Sequence, residues 1–119
     1  METVETTIGA GKKVVRRAIN HLRQKIQVQQ VILFGSHAKG KADKWSDIDL
    51  AVISPDFSRM SHRKTIDLLA EVALAVDPSI EIRAYTPQDL KEVRPTNFLG
   101  LILDEGKVVY RDGKFLGGL

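Results

Sequence analysis

Apolar residues recur at three- and four-residue steps from about Ile8 to Ile26, at Val14, Val15, Ala18, Ile19, Leu22 and Ile26, with basic residues between them. That period predicts an amphipathic helix with a basic outer face. Val28 to Phe34 is a β-branched run ending at Gly35 and reads as a buried strand. After the charged loop Ser36 to Ser46, Asp47 to Ile53 reads as a second strand, closed by Ser54-Pro55. Ser58 to Ser61 supplies candidate N-caps for a helix marked by Ile66, Leu68, Leu69, Val72, Ala73 and Val76 and stopped by Asp77-Pro78. From Ser79 to Tyr85 the period becomes two, with Ile80, Ile82 and Ala84 alternating against Glu81, Arg83 and Tyr85, which predicts a third strand.

Thr86-Pro87 has the form of an N-cap and first helical position, opening a short helix to about Val93 that Pro95 breaks. Phe98, Leu99, Leu101, Ile102 and Leu103 predict a further helix ending at Gly106. Lys107 to Tyr110 reads as a small final strand, followed by a turn at Asp112-Gly113 and a glycine-rich tail, Gly117 to Leu119, whose composition suggests no order. No repeat or linker interrupts the run, so 1–119 is expected to form one domain with its core at about 8–111.

Composition narrows the function classes. Of the residues, 43% are hydrophobic and 28% charged, as in an ordinary globular domain. Lys and Arg number 18 against 15 Asp and Glu, a formal charge of +3, which suits anionic ligands such as nucleotides and is too small to argue for nucleic-acid wrapping. Without cysteine there is no disulfide and no thiolate metal or redox site. Met1 to Ala10 lacks an apolar signal region and no stretch is long and apolar enough for a membrane span, so a cytoplasmic location is expected.

The chemistry concentrates in one segment. Asp47 and Asp49 alternate on a strand and so point to one face, while Ile48, Leu50 and Val52 point to the other. Glu81 likewise stands opposite Ile80 and Ile82, and pairing of the second and third strands would bring three carboxylates together. Like charges that close repel unless a cation joins them, and oxygen ligands without His or Cys favour Mg2+ or Mn2+ over zinc. Gly35-Ser36 would let backbone approach a phosphate and offer a hydroxyl and N–H donors to it, with Lys39, Lys41 and Lys44 nearby in sequence.

Gly35 to Lys41 also spells G-x-x-x-x-G-K, but Ala42 replaces the Ser or Thr of a P-loop and a strand follows where that motif needs a helix. His21, His37 and His62 share no metal-ligand spacing and read most simply as solvated; His62, Arg63 and Lys64 put positive charge in a helix's first turn, against its dipole. Trp45 reads as a packing residue over the loop.

Gly35-Ser36, ten intervening residues, Asp47-Ile48-Asp49 and the later Ile80-Glu81-Ile82 resemble the signature of the polymerase-beta nucleotidyltransferase superfamily. The resemblance is strongest to its minimal nucleotidyltransferase (MNT) branch, many of whose members are antitoxins paired with HEPN-domain toxins. It extends from the first helix to about Tyr110, where Glu105 to Tyr110 is similar to the closing segment of the family. The resemblance implies an α/β (α+β) fold with a small mixed sheet and flanking helices, and Mg2+-dependent transfer of a nucleoside monophosphate from an NTP with release of pyrophosphate. Gly35 and Ser36 would hold the triphosphate, Asp47 and Asp49 would ligate metal, and Glu81 would be the third acid, aiding the metal and deprotonating the acceptor hydroxyl. Here Glu stands where Asp is common in the family.

Three functions are compatible with this resemblance. The first is transfer of AMP from ATP to a hydroxyl of a partner protein, a tyrosine of a cognate HEPN toxin, with the acceptor arriving on that partner because 119 residues leave little room to hold one. The second is a non-catalytic module that neutralises or scaffolds a partner by contact. The third is a small-molecule nucleotidyltransferase acting as a homodimer, for instance on an aminoglycoside.

Overall fold

The structure, a computed structural model, describes residues 4–42 and 46–119. Its elements run α1 (Val4–Arg23), β1 (Gln30–Phe34), β2 (Ile48–Ile53), a 3-10 turn (Pro55–Ser58), α2 (His62–Ala75), β3 (Ile80–Tyr85), α3 (Pro87–Lys91), α4 (Phe98–Glu105), β4 (Lys107–Arg111) and β5 (Lys114–Phe115). The strands form one mixed sheet in the order β3-β2-β1-β4-β5. β1 pairs antiparallel with β2 and β4, whereas β2 and β3 run parallel, as the α2 crossover between them requires.

The alternation along each strand decides which face each side chain serves. Val31 on β1, Leu50 and Val52 on β2 and Ile80 on β3 are buried with Val15, Ala18, Ile19 and Leu22 of α1 and Leu68 and Val72 of α2. On the opposite face Ile32, Ala51 and Ile102 form a smaller buried cluster, with Phe34, Tyr85, Leu103 and Val108 packed at its margin. Gly106 brings the end of α4 against β1; a Cβ there would meet both the Ile102 carbonyl and the Ile32 side chain. No helix among the described residues is long and apolar enough to cross a membrane.

Local chemistry sets the boundaries. The Ser61 hydroxyl accepts from the Lys64 N–H at 3.1 Å and opens α2. Thr86 and Asp89 form a reciprocal capping box, and Pro87 begins α3. The Asn97 side chain accepts from Gly100 N–H at 2.8 Å and fixes the start of α4, a cap not anticipated from the chain. Ser54, fully buried, ends β2 by accepting from Asp56 N–H while donating its own N–H to the Tyr85 carbonyl.

Several boundaries and surfaces differ from expectation. α1 stops at Arg23, and Ile26 stays in the core by way of a turn in which its N–H donates to the Leu22 carbonyl. β2 begins at Ile48, whose N–H donates to the Ser79 carbonyl, so Asp47 lies exposed in the approach to the strand. β4 is not the final strand. Asp112 and Gly113 both adopt positive φ, the conformation of a tight hairpin turn, and return the chain as β5. Beyond it Leu119 packs against the main core and its carbonyl accepts from Arg16, so the tail has a defined seat on α1. Trp45 and Lys44 lie outside the described residues.

Candidate active site

β2 runs between β1 and β3, and its Asp49 faces Phe34 on one neighbour and Glu81 on the other. The Asp49–Glu81 pairing follows from the parallel register, which sets Ile48 beside Ile80 and carries the two acids to the same level. Asp49 lies on the face of Ala51, where α4 covers the inner sheet but leaves the Asp49 end open. The opening is a cleft of about 310 Å³ lined by Phe34, Gly35, Asp49, Glu81, Arg83, Phe98 and the neighbouring turns of α4.

Gly35 is a glycine for two separate reasons. Its φ of 72° is costly for other residues, and a Cβ built there would run into the Asp49 carboxylate. The chain then coils tightly, Lys39 N–H donating to the Gly35 carbonyl at 3.2 Å and Lys41 N–H to the Ser36 carbonyl at 3.0 Å. Among the described residues the next element after this turn is β2, where the P-loop reading would demand a helix. Lys39 reaches across to Glu105 at the end of α4, 3.5 Å away, linking the turn to the far wall of the cleft.

Of the residues singled out in the chain, Gly35, Asp49 and Glu81 meet in this cleft. Ser36 is exposed on the turn and Asp47 is exposed before β2, and neither is among the residues lining it. Asp47 nevertheless acts on Asp49. Burial, first, and then the charges of Glu81 and Asp47 push the Asp49 carboxyl above the usual carboxylate range, as does a hydrogen bond shared with Glu81, while His37 opposes them. Among the described residues no three His, Asp or Glu side chains are gathered into a ready-made metal cage.

The histidines differ from the solvated reading in two of three cases. His21 is within 2.7 Å of Glu71 on α2. His37 is only partly exposed, packs beside Gly11 of α1, and has a buried Nε2 without a hydrogen-bond partner among the described residues. His62 is exposed at the start of α2, as expected. Arg83 was missed as a site residue, although its spacing of two from Glu81 places it on the same face. Phe98 and Leu101 enter the cleft from α4, a convergence for which the chain offers no local signal.

Comparison with known proteins agrees with this geometry. The family model described as "Nucleotidyltransferase domain" matches residues 15–106. An inferred protein adenylyltransferase of Methanocaldococcus jannaschii is 28% identical over 102 residues, covering 83% of this chain and 97% of that protein. Among solved structures, a toxin–antitoxin with AMP-PNP superposes with a TM-score of 0.62 at 24% identity, over 82% of this chain and 73% of that one. A complex of a tri-AMPylated HEPN toxin of Shewanella oneidensis with MNT antitoxin gives 0.54 at 21% identity, over 86% and 73%. The likeness to these structures extends to the mixed sheet and its flanking helices. With a cleft that joins a glycine turn to paired acids and a family model spanning most of its length, the chain belongs to the nucleotidyltransferase domain family and is a nucleotidyltransferase.

Proposed function

We propose that this domain transfers AMP from ATP to a tyrosine hydroxyl of a partner protein, a HEPN-type toxin, and so acts as an antitoxin. The observation that carries the reading is the side-by-side placement of Asp49 and Glu81 in an open cleft directly below the Gly35 turn. Support for the acceptor comes from the relatives: one is named for protein adenylyltransfer, and another structure pairs an MNT antitoxin with an AMPylated HEPN toxin.

The donor set fits a hard divalent cation. Glu81 beside it and Asp47 nearby crowd negative charge onto Asp49, and the three acids offer oxygen only. Mg2+ is usually held by one or two carboxylates together with substrate phosphates, which suits a cluster that is not closed by protein alone. Asp47, Asp49 and Glu81 would hold the ion, which when bound neutralises charge on the reacting phosphate.

The chain's own residues do the rest. The Gly35-Ser36 turn presents backbone and a hydroxyl to the triphosphate. Glu81, on the sheet's outer strand, takes the proton from the acceptor hydroxyl as its oxygen bonds to the α-phosphorus and the bond to pyrophosphate breaks. Incubation with α-labelled and, separately, γ-labelled ATP and Mg2+ in the presence of host lysate tests the proposal. Movement of the α label alone to a protein band, abolished by Asp49→Ala, supports it. Absence of both labels from every band, with a partner still captured, overturns it in favour of a contact module.

A further inference from the structure

β3 is an edge strand, and along its cleft face Glu81 is followed two residues later by Arg83, a step of roughly 7 Å. The triphosphate turn stands on the opposite side of Asp49, after β1. The two ends of the cleft therefore differ: one is a glycine turn beside the acids, the other an exposed arginine on the free edge of the sheet. Arg83 makes no ion pair among the described residues even though Glu81 and Glu105 line the same cleft. Its guanidinium lies instead over the Phe98 ring, 4.3 Å from the centroid. A guanidinium held over an aromatic face by cation–π attraction still has N–H groups to offer a bidentate anion. Phe98 and Leu101 remain 44% and 46% exposed on the same rim, and Phe98 is held edge-on against Phe34 at 5.9 Å.

We infer that Arg83, Phe98 and Leu101 recognise the acceptor: the apolar rim receives the ring of the accepting tyrosine, and Arg83 pairs with a carboxylate on a neighbouring residue of the partner segment. This rests on the proposal that the acceptor is a protein tyrosine. Arg83 is a positioning residue in this scheme, because it orients the segment while Glu81 meets the hydroxyl. The occupant is set by the charges left over in the cleft: Glu105 is paired with Lys39, Asp49 and Glu81 are the acids that would hold the cation, and Arg83 is the charge without an ion-pair partner among the described residues, so a carboxylate beside the tyrosine complements it and a lysine there does not.

The test is binding, which does not depend on turnover. Fluorescent pentapeptides with a central tyrosine flanked by Asp and Glu, or by Lys, are titrated into the full chain by anisotropy, alongside a fluorescent ATP analogue with Mg2+. The acidic peptide should bind at least about tenfold tighter than the basic one, Arg83→Gln should erase that preference, and Arg83→Lys should restore part of it because it keeps the charge and loses the fork. Phe98→Ala should weaken both peptides, and Arg83→Gln and Phe98→Ala should each change peptide affinity by a larger factor than nucleotide affinity. Equal binding of the two peptides by the wild-type chain overturns the inference, as does a loss of nucleotide binding with unchanged peptide preference in Arg83→Gln. Failure of the underlying reading looks different: the peptide preference persists while the chain neither binds the ATP analogue nor transfers label.

Discussion

The two faces of the sheet divide stability from chemistry. Under α1 and α2 the packing is continuous, with Ile19, Leu22, Leu50, Val52 and Val72 fully buried. Under α4, Ile32, Ala51 and Ile102 make a smaller core, and the same face then opens onto Asp49, Glu81 and Arg83. β2 serves both faces at once, because its period of two sends Leu50 into the thick core and Asp49 into the cleft. Adjacent residues on one strand thus answer to different physics, burial on one side and like-charge crowding on the other.

Substitutions one residue apart should separate the two. On the proposed reading, Asp49→Ala is expected to reduce nucleotidyl transfer to background while the chain still melts cooperatively, and Glu81→Gln to slow transfer by about 10²–10⁴-fold through loss of the proposed proton acceptor. Label transfer beside thermal melting checks both; unfolding of Asp49→Ala would break the division. Leu50→Ala, on the same strand but the other face, should cost about 2–5 kcal/mol in a denaturant titration. Gly35→Ala comes next, at about 1–2 kcal/mol for its left-handed backbone, and it should also impair transfer because the new Cβ displaces the Asp49 carboxylate. Normal transfer by Gly35→Ala would show that the close approach of turn and acid is not required.

Much of this division was legible in the chain, because both faces of a strand are written in its alternation. Ile48, Leu50 and Val52 against Asp49, and Ile80 and Ile82 against Glu81, assign the faces without any knowledge of the partners. The parallel pairing that sets Asp49 beside Glu81 needed the structure, since register depends on contacts distant in sequence. Asp47 illustrates the reverse: alternation extends the strand to it, but the ladder begins at Ile48, and Asp47 stands exposed before the strand while its charge still acts on Asp49. The tail was opaque because glycine content argues for disorder, whereas its seat depends on Leu119 reaching the main core and Arg16 reaching its carbonyl. His37 was misread for a similar reason, since its ring lies against Gly11 of α1, distant in sequence.

The smallest expected effects sharpen the comparison by their sign. Asp49 has its folded-state pKa raised by burial, then by Glu81 and Asp47, so at neutral pH its ionised carboxylate penalises the folded state. Asp49→Asn should therefore raise the melting temperature by a few degrees at pH 7, and the gain should fade as pH drops through the raised pKa towards the ordinary value of 3.8, where the native carboxyl is protonated as well. Glu71, on the helical surface over the thick core, is shifted the other way: the hydrogen bond with His21 lowers its pKa below 4.5. Its contribution is present above that ordinary value and lost as pH falls through the lowered one, so Glu71→Gln should slightly lower the melting temperature at pH 7 and leave it unchanged in acid. The same neutralisation of one carboxylate then stabilises on the cleft face and destabilises on the helical face. Melting curves of both variants from pH 3 to pH 7 would show it; a shift of the same sign in both would mean that net charge, rather than the local environment of each acid, governs them.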